Sequence, residues 1–145
     1  MIGYPQPIDE IGILKSRQSS NPIEDIRPVA SASHILGMRE EVRDIYVADE
    51  ILAYIVRIAG ATRQAESLSL GISPRGTLAL ARMARANAWI KGRKYVVPKD
   101  VVEVCRMTLA HRLVLTSRAR VRGVTCESAL ADILAGVPQP RITAK

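Results

Sequence analysis

A chain of 145 residues is long enough to bury one real core, and a single domain is the expectation. Hydrophobic residues make up 48% of it but aromatics only 3%, with no Phe, so the core must be built from Leu, Ile, Val and Ala, as in packed helices. No apolar run reaches the length of a membrane span and the N-terminus lacks a signal-peptide pattern, so no membrane role is expected and the cytoplasm is the default location.

The formal net charge is +7, and Arg outnumbers Lys by 16 to 5. Nucleic acid, a nucleotide or an acidic partner surface would each answer that excess, and so would an Arg-rich genome. Cys105 and Cys126 are not a CxxC pair, and with His34 and His111 they form no metal-ligand spacing. Cys105 falls among Val101, Val104 and Met107 and reads as a small core residue. No metal site is expected.

Along the chain, Ile2-Gly3-Tyr4-Pro5 is too short to fold alone and reads as the end of something larger. Ile8, Ile11 and Leu14 have helical spacing, with Asp9 and Glu10 in the first turn. That helix fades through Ser16 to Ser20, and Asn21-Pro22 breaks it. Residues 1–30 therefore read as an entry segment, a helix and a hinge linker, and 31–145 as the folded domain. A second helix is expected over Ser33–Val42, and a third from Asp49 to Gln64 with an apolar stripe of Ile51, Leu52, Ile55, Ile58 and Ala59. Residues 66–71 read as a loop.

The fourth helix has the best-defined start. Ser73 can accept from the free N–H groups of the first turn, Pro74 suits the first helical position, and Gly71 allows a sharp entry. Arg75 then lies at the positive end of the helix dipole, where a cation is disfavoured by roughly 0.3–1 kcal/mol unless an anion is near. Free N–H groups beside a guanidinium make an anion site, with phosphate the usual occupant. A solvated Arg, or one paired with a local carboxylate, is the plain alternative. Leu78, Leu80, Met83, Ala84, Ala88 and Ile90 make this helix apolar over most of its circumference, which predicts a central position. Arg82 projects within about 20° of Arg75, and Arg85 about 80° from it.

Gly92 reads as the C-cap, with Arg93 and Lys94 placed to answer exposed carbonyls. Tyr95-Val96-Val97 is a short extended connector, as Ile45-Tyr46-Val47 can be. Pro98 starts a fifth helix running to about Leu113, with Val101, Val104, Cys105, Thr108 and Leu109 inward. His111 near its end reads as a structural, hydrogen-bonded histidine. Arg118, Arg120 and Arg122 form a basic loop, and Thr125 caps a last helix. The sum is an all-α bundle of five or six helices with at most short extended pieces. The chain contains no GxxxxGK[ST] phosphate loop and no strand-borne acid pair for Mg²⁺, so it cannot transfer phosphoryl groups by itself.

These residues, taken in order, resemble the C-terminal lid of a MoxR-family AAA+ ATPase. The blocks are Gly3-Tyr4-Pro5 followed by Glu10 and Ile13-Leu14, Tyr54-Ile55-Val56, Ala61-Thr62-Arg63, Gly71-Ile72-Ser73-Pro74-Arg75, Gly92 to Val101, Leu109-Ala110-His111-Arg112-Leu113 and Val137-Pro138-Gln139-Pro140. The resemblance implies a helical lid over a nucleotide held by a preceding α/β core, with Arg75 as the sensor-2 arginine and Ser73, Pro74 and Arg75 at the nucleotide. It also implies ATP and Mg²⁺ in the full-length protein, ring assembly, typically hexameric, and chaperone-like remodelling alongside von Willebrand A domain proteins. Gly76 departs from the usual Ala, which loosens the first turn, and Val97 departs from a capping Thr. The core with its Walker motifs is missing, so the chain reads as a piece that is inactive alone. The other readings are a basic helical module binding nucleic acid through Arg82, Arg85 and the 118–122 stretch, and a module docking an acidic protein surface. No aromatic interleaves with those basic residues, which argues against nucleic acid.

Overall fold

Residues 3–18, 21 and 23–141 are described by the structure, a computed structural model. Ile2, Ser19, Ser20 and the break expected at Pro22 lie outside them. The chain divides into two units, Met1–Leu36 and Gly37–Lys145. In the first, α1 (Pro7–Ser16) opens on a proline with Asp9 and Glu10 in its first turn, and none of its residues is buried. Helix α2 (Ala32–Arg43) begins where Ser31 Oγ accepts from the His34 N–H at 3.2 Å while His34 Nδ1 accepts from the Ser31 N–H at 3.4 Å.

The core belongs to the second unit. Helix α3 (Asp49–Gln64) has the bounds its periodicity predicts, and buries Ile51, Tyr54, Ile55, Ile58, Ala59 and Thr62 along one stripe. Leu52, expected on that stripe, is 41% exposed. Strand β1 (Leu68–Leu70) follows, then α4 (Pro74–Ile90), α5 (Pro98–Leu109), a 3-10 turn over Ala110–Arg112, β2 (Val114–Leu115), α6 (Ser117–Val121) and α7 (Cys126–Gly136). The all-α class stands, with seven α-helices among the described residues where five or six were expected, because the basic stretch after β2 forms a short helix of its own.

Other expectations need correction. The stretch read as a loop contains β1, which pairs antiparallel with β2 through Leu68–Leu115 and Leu70–Val114. Its partner lies some 45 residues away, so no local pattern announces it. The connectors at 45–47 and 95–97 meet in a single parallel bridge, Tyr46 to Tyr95. There the Tyr46 N–H donates to Lys94 O at 2.9 Å, and the Val96 N–H donates to Tyr46 O at 3.0 Å.

Helix α4 is not buried all round. Leu78 and Ile90 are 61% and 74% exposed, and only Gly76, Leu80, Ala84 and Ala88 are buried. Those four recur every fourth residue, and three of them are small, so the backbone can approach α5, its chief packing partner, closely. The helix is central in sequence and one-faced in the fold.

The basic stretch is also not a loop. Thr116 Oγ1 accepts from the Ala119 N–H at 3.3 Å, and Ala119 is buried, which fixes the short helix α6. Thr125 caps α7 as expected, accepting from the Ser128 N–H at 3.0 Å while Ser128 Oγ accepts from the Thr125 N–H at 3.0 Å.

The turn between α4 and α5 is held by charge. Gly92 has φ +71° and ends α4, with its N–H on Trp89 O at 2.8 Å and the Arg93 N–H on Ala88 O at 3.0 Å. The Arg93 guanidinium does not cap those carbonyls. It forks onto Asp100, Nη1 to Oδ2 at 2.7 Å and Nη2 to Oδ1 at 2.5 Å. Asp100 is fully buried and also accepts from the Val97 N–H at 2.9 Å, so the helix start that Val97 cannot cap is capped from inside α5. Val101, Val104, Cys105, Thr108 and Leu109 are buried as predicted. Burial pushes the Cys105 thiol up to about 12, in keeping with an inert core residue.

Candidate functional site at the start of α4

Five residues, Ile72 to Gly76, carry the candidate site, and two side chains from the end of α3 fix their entry. Thr62 at the end of α3 is buried, and its Oγ1 donates to Ala59 O at 2.6 Å and accepts from the Ile72 N–H at 2.9 Å. Arg63 Nε donates to Ile72 O at 2.7 Å. Both backbone groups of Ile72 are thus held by adjacent residues of one helix. Ser73 then accepts from the Gly76 N–H at 3.4 Å, a long cap, and Pro74 is the first helical residue.

Gly71 serves this arrangement differently from the way its flexibility suggests. Its φ is not positive; a Cβ there would stand 2.7 Å from Arg63 N and 2.8 Å from Arg63 Cα. The loop runs so close to the backbone of α3 that only hydrogen fits. Gly76 is likewise a packing requirement. A Cβ on it would meet Ile72 Cγ2 at 2.7 Å, and the Arg112 Cδ lies 3.6 Å from the same point. The departure from Ala at this position therefore makes room for Ile72.

Arg75 is exposed on the first turn, which contains no acidic residue, and it has no ion pair among the described residues. Arg82 is exposed further along the same side, away from the buried stripe. Arg85 separates from them: it is half-buried, with its Nε enclosed and without a hydrogen-bond partner among the described residues. Arg112, at the end of the 3-10 turn, donates through Nε to Thr108 O at 3.0 Å. Chemically the place can hold an anion. The described residues include no cluster of His, Cys, Asp or Glu able to hold a metal.

His111 departs from its expected role. It is exposed in the 3-10 turn, makes no hydrogen bond among the described residues, and lines an open groove with Met107, Cys126 and Glu127. The 3-10 turn ends α5 two residues before His111, which lifts the imidazole off the inward face. Thr62, Arg63 and Arg112 carry the geometry that residue-by-residue reading gave no role. Their signal in the sequence was membership of the Ala61-Thr62-Arg63 and Leu109-to-Leu113 blocks.

Residues 60–133, half of the chain, match the AAA lid domain family. The chain belongs to that family, and within it is a lid of the MoxR type. It is 36% identical over 139 residues to YeaC of Bacillus subtilis strain 168, covering 96% of this chain and 43% of that protein. It is 32% identical over 152 residues to chaperone MoxR1 of Mycobacterium tuberculosis, covering 99% of this chain and 40% of the relative. A 71-residue stretch is 42% identical to protein MoxR of Paracoccus denitrificans, 48% of this chain and 21% of that one. The fold matches the crystal structure of a candidate ATPase from Cytophaga hutchinsonii with a TM-score of 0.82, at 24% identity, over 97% of this chain and 45% of that one. The chain thus spans less than half the length of these relatives. No helix among the described residues is long and apolar enough to cross a membrane.

Proposed function

We propose that this chain is the C-terminal lid of a MoxR-type AAA+ ATPase, and that Arg75 is its sensor-2 arginine. The observation that carries the reading is the position of Arg75: exposed on the first turn of α4, its own backbone N–H without a partner and its guanidinium without a carboxylate among the described residues. A planar guanidinium so placed can meet a phosphate with two parallel hydrogen bonds, and Ser73 and Pro74 set the turn that presents it. The residues fit the phosphate end of ATP and not its metal, because no carboxylate cluster for Mg²⁺ is at hand among the described residues. Mg²⁺, which neutralises developing phosphate charge, belongs with a preceding AAA+ core in the full-length protein. Residues 1–30 lead from that core through a hinge, and 31–145 close over the nucleotide.

On this reading the full-length protein is a cytoplasmic, ring-forming ATPase with chaperone-like remodelling activity, in hexamers and beside von Willebrand A domain partners. The MoxR1 name of one relative supports the chaperone part. Nucleic acid is not among the partners, since Arg85 is drawn inward and the 118–122 arginines lie on and just after a short helix without aromatics.

Steady-state ATP hydrolysis by the full-length protein tests the reading. Arg75→Ala should slow turnover about 10²-fold or more, the scale of losing one charge-stabilising donor. Arg75→Lys should also be impaired, whereas Arg82→Ala should stay near wild type. The 145-residue chain alone should not hydrolyse ATP. Wild-type turnover in Arg75→Ala would leave Arg75 a solvated surface residue.

A further inference from the structure

The turn that carries Arg75 is loosely held by its own residues. The Ser73 cap is long, 3.4 Å from the Gly76 N–H. Pro74 has no N–H to offer it, and Gly76 adds backbone freedom inside the first turn. No acidic residue stands there to favour the helix dipole. What fixes the entry comes from α3 instead. Ile72, the residue before the cap, is buried, and α3 side chains hold both of its backbone groups. The Thr62 hydroxyl accepts its N–H at 2.9 Å. Arg63 Nε donates to its carbonyl at 2.7 Å, the sole hydrogen bond to that oxygen among the described residues. The close approach of Gly71 to the Arg63 backbone closes the same joint. Arg63 has no ion pair among the described residues, so this carbonyl is the contact that engages it.

We propose that Arg63 is a positioning residue for Arg75: by clamping Ile72 O it sets the first turn of α4, and with it the direction of the Arg75 guanidinium. The inference rests on the nucleotide-facing reading of Arg75. It adds a residue that acts through the backbone and does not touch the ligand. A charged donor on a buried carbonyl makes a strong bond, suited to holding a turn that its own cap holds weakly. A turn free to rotate would carry Arg75 off its target, and a displacement of about 1 Å can cost 10²-fold in rate. The competing explanation is that Arg63 only braces the fold, with no particular link to Arg75.

Two substitutions separate the donor from the rest of the side chain. Arg63→Met keeps the stem and deletes the donor. Arg63→Gln keeps a donor, because its Nε2 sits at the same number of bonds from the backbone as the arginine Nε. Each is made in the full-length protein, alone and together with Arg75→Ala, and steady-state ATP hydrolysis is measured. Arg63→Met should lower kcat about tenfold, with KM for ATP within about twofold of wild type. Arg63→Gln should recover most of that loss. In the Arg75→Ala background Arg63→Met should have no further effect, since a residue acting through Arg75 then has nothing to position. Amide exchange in the 145-residue chain, without nucleotide, reads the turn directly. The Thr77 N–H, bonded to Ser73 O at 3.1 Å, should exchange about tenfold faster in Arg63→Met, with the α5 amides unchanged. Wild-type kcat in Arg63→Met, or a loss that multiplies with that of Arg75→Ala, would overturn the positioning role. Unchanged exchange at Thr77 would do so too, and a general rise across α3 and α5 would leave Arg63 a brace of the fold. Slow turnover in Arg75→Ala beside wild-type turnover in Arg63→Met sinks this inference alone. Wild-type turnover in Arg75→Ala removes the reading beneath it as well.

Discussion

The Thr62 hydroxyl accepts the Ile72 N–H at 2.9 Å across a ten-residue gap, and so ties the last turn of α3 to the entry of α4. Both residues are buried, and no water can replace the bond. Thr62→Val keeps the shape and removes the acceptor, leaving a buried N–H unpaired at a cost of about 1–3 kcal/mol. Thr62→Ser should cost less. Urea unfolding of the two variants against wild type checks the difference, and equal midpoints would show that the hydroxyl contributes nothing.

Gly71→Ala and Gly76→Ala should both destabilise, by about 1–3 kcal/mol each, because both overpack a filled space. The Gly71 change should be the worse. Its new Cβ would meet Arg63 backbone atoms, whereas at Gly76 the obstacle is one side-chain methyl, Ile72 Cγ2, rather than backbone. Thermal melts rank the pair. Gly76→Ala as stable as wild type would mean that Ile72 repacks without strain.

Asp100 makes the fold acid-sensitive. Burial pushes its carboxyl up, but the Arg93 fork, the Val97 N–H and the charge of Lys91 outweigh that and hold it below the usual carboxylate range. An unfolded Asp protonates near about 3.9. The folded state therefore binds fewer protons in that window, and the stabilisation is complete above the unfolded value and lost as pH falls through the folded one. Unfolding free energy from this group should be flat from pH 7 to about 5 and fall below about 4. Arg93→Ala leaves the buried carboxylate without its main partner and should cost about 3 kcal/mol at neutral pH, the low end for a broken buried pair, since Arg93 is partly exposed. Its acid sensitivity should shrink as well. Urea midpoints between pH 3 and 7 read both effects.

Tyr54 is fully buried, and its hydroxyl has no hydrogen-bond partner among the described residues. Burial, with Cys105 adding to it and Arg57 opposing, raises its pKa. Tyr54→Phe removes an unpaired polar atom while keeping the ring, and should stabilise the fold by up to about 1 kcal/mol. Calorimetric melting decides it. A loss of stability would point to a partner for that hydroxyl.

The residues themselves determined every feature that depends on neighbours a few positions away. The bounds of α3, the Ser73-Pro74 start, the Gly92 end, the inward face of α5 and the Thr125 cap follow from spacing and capping chemistry, which act within one or two turns. Block order carried the lid family. What only the tertiary structure decided involves partners distant in sequence. The β1–β2 pair, the one-faced burial of α4 and the Asp100 fork depend on which surfaces meet, and an apolar residue such as Leu78 reads the same in either setting. Arg75 could be placed on its first turn from Ser73 and Pro74 alone. The clamp on its entry could not, because Arg63 lies 12 residues from it and meets Ile72 only when α3 and α4 pack. Gly71 shows the division within one residue: the sequence marks it as a turn glycine, and the fold reveals that the absent Cβ is what lets two backbones touch.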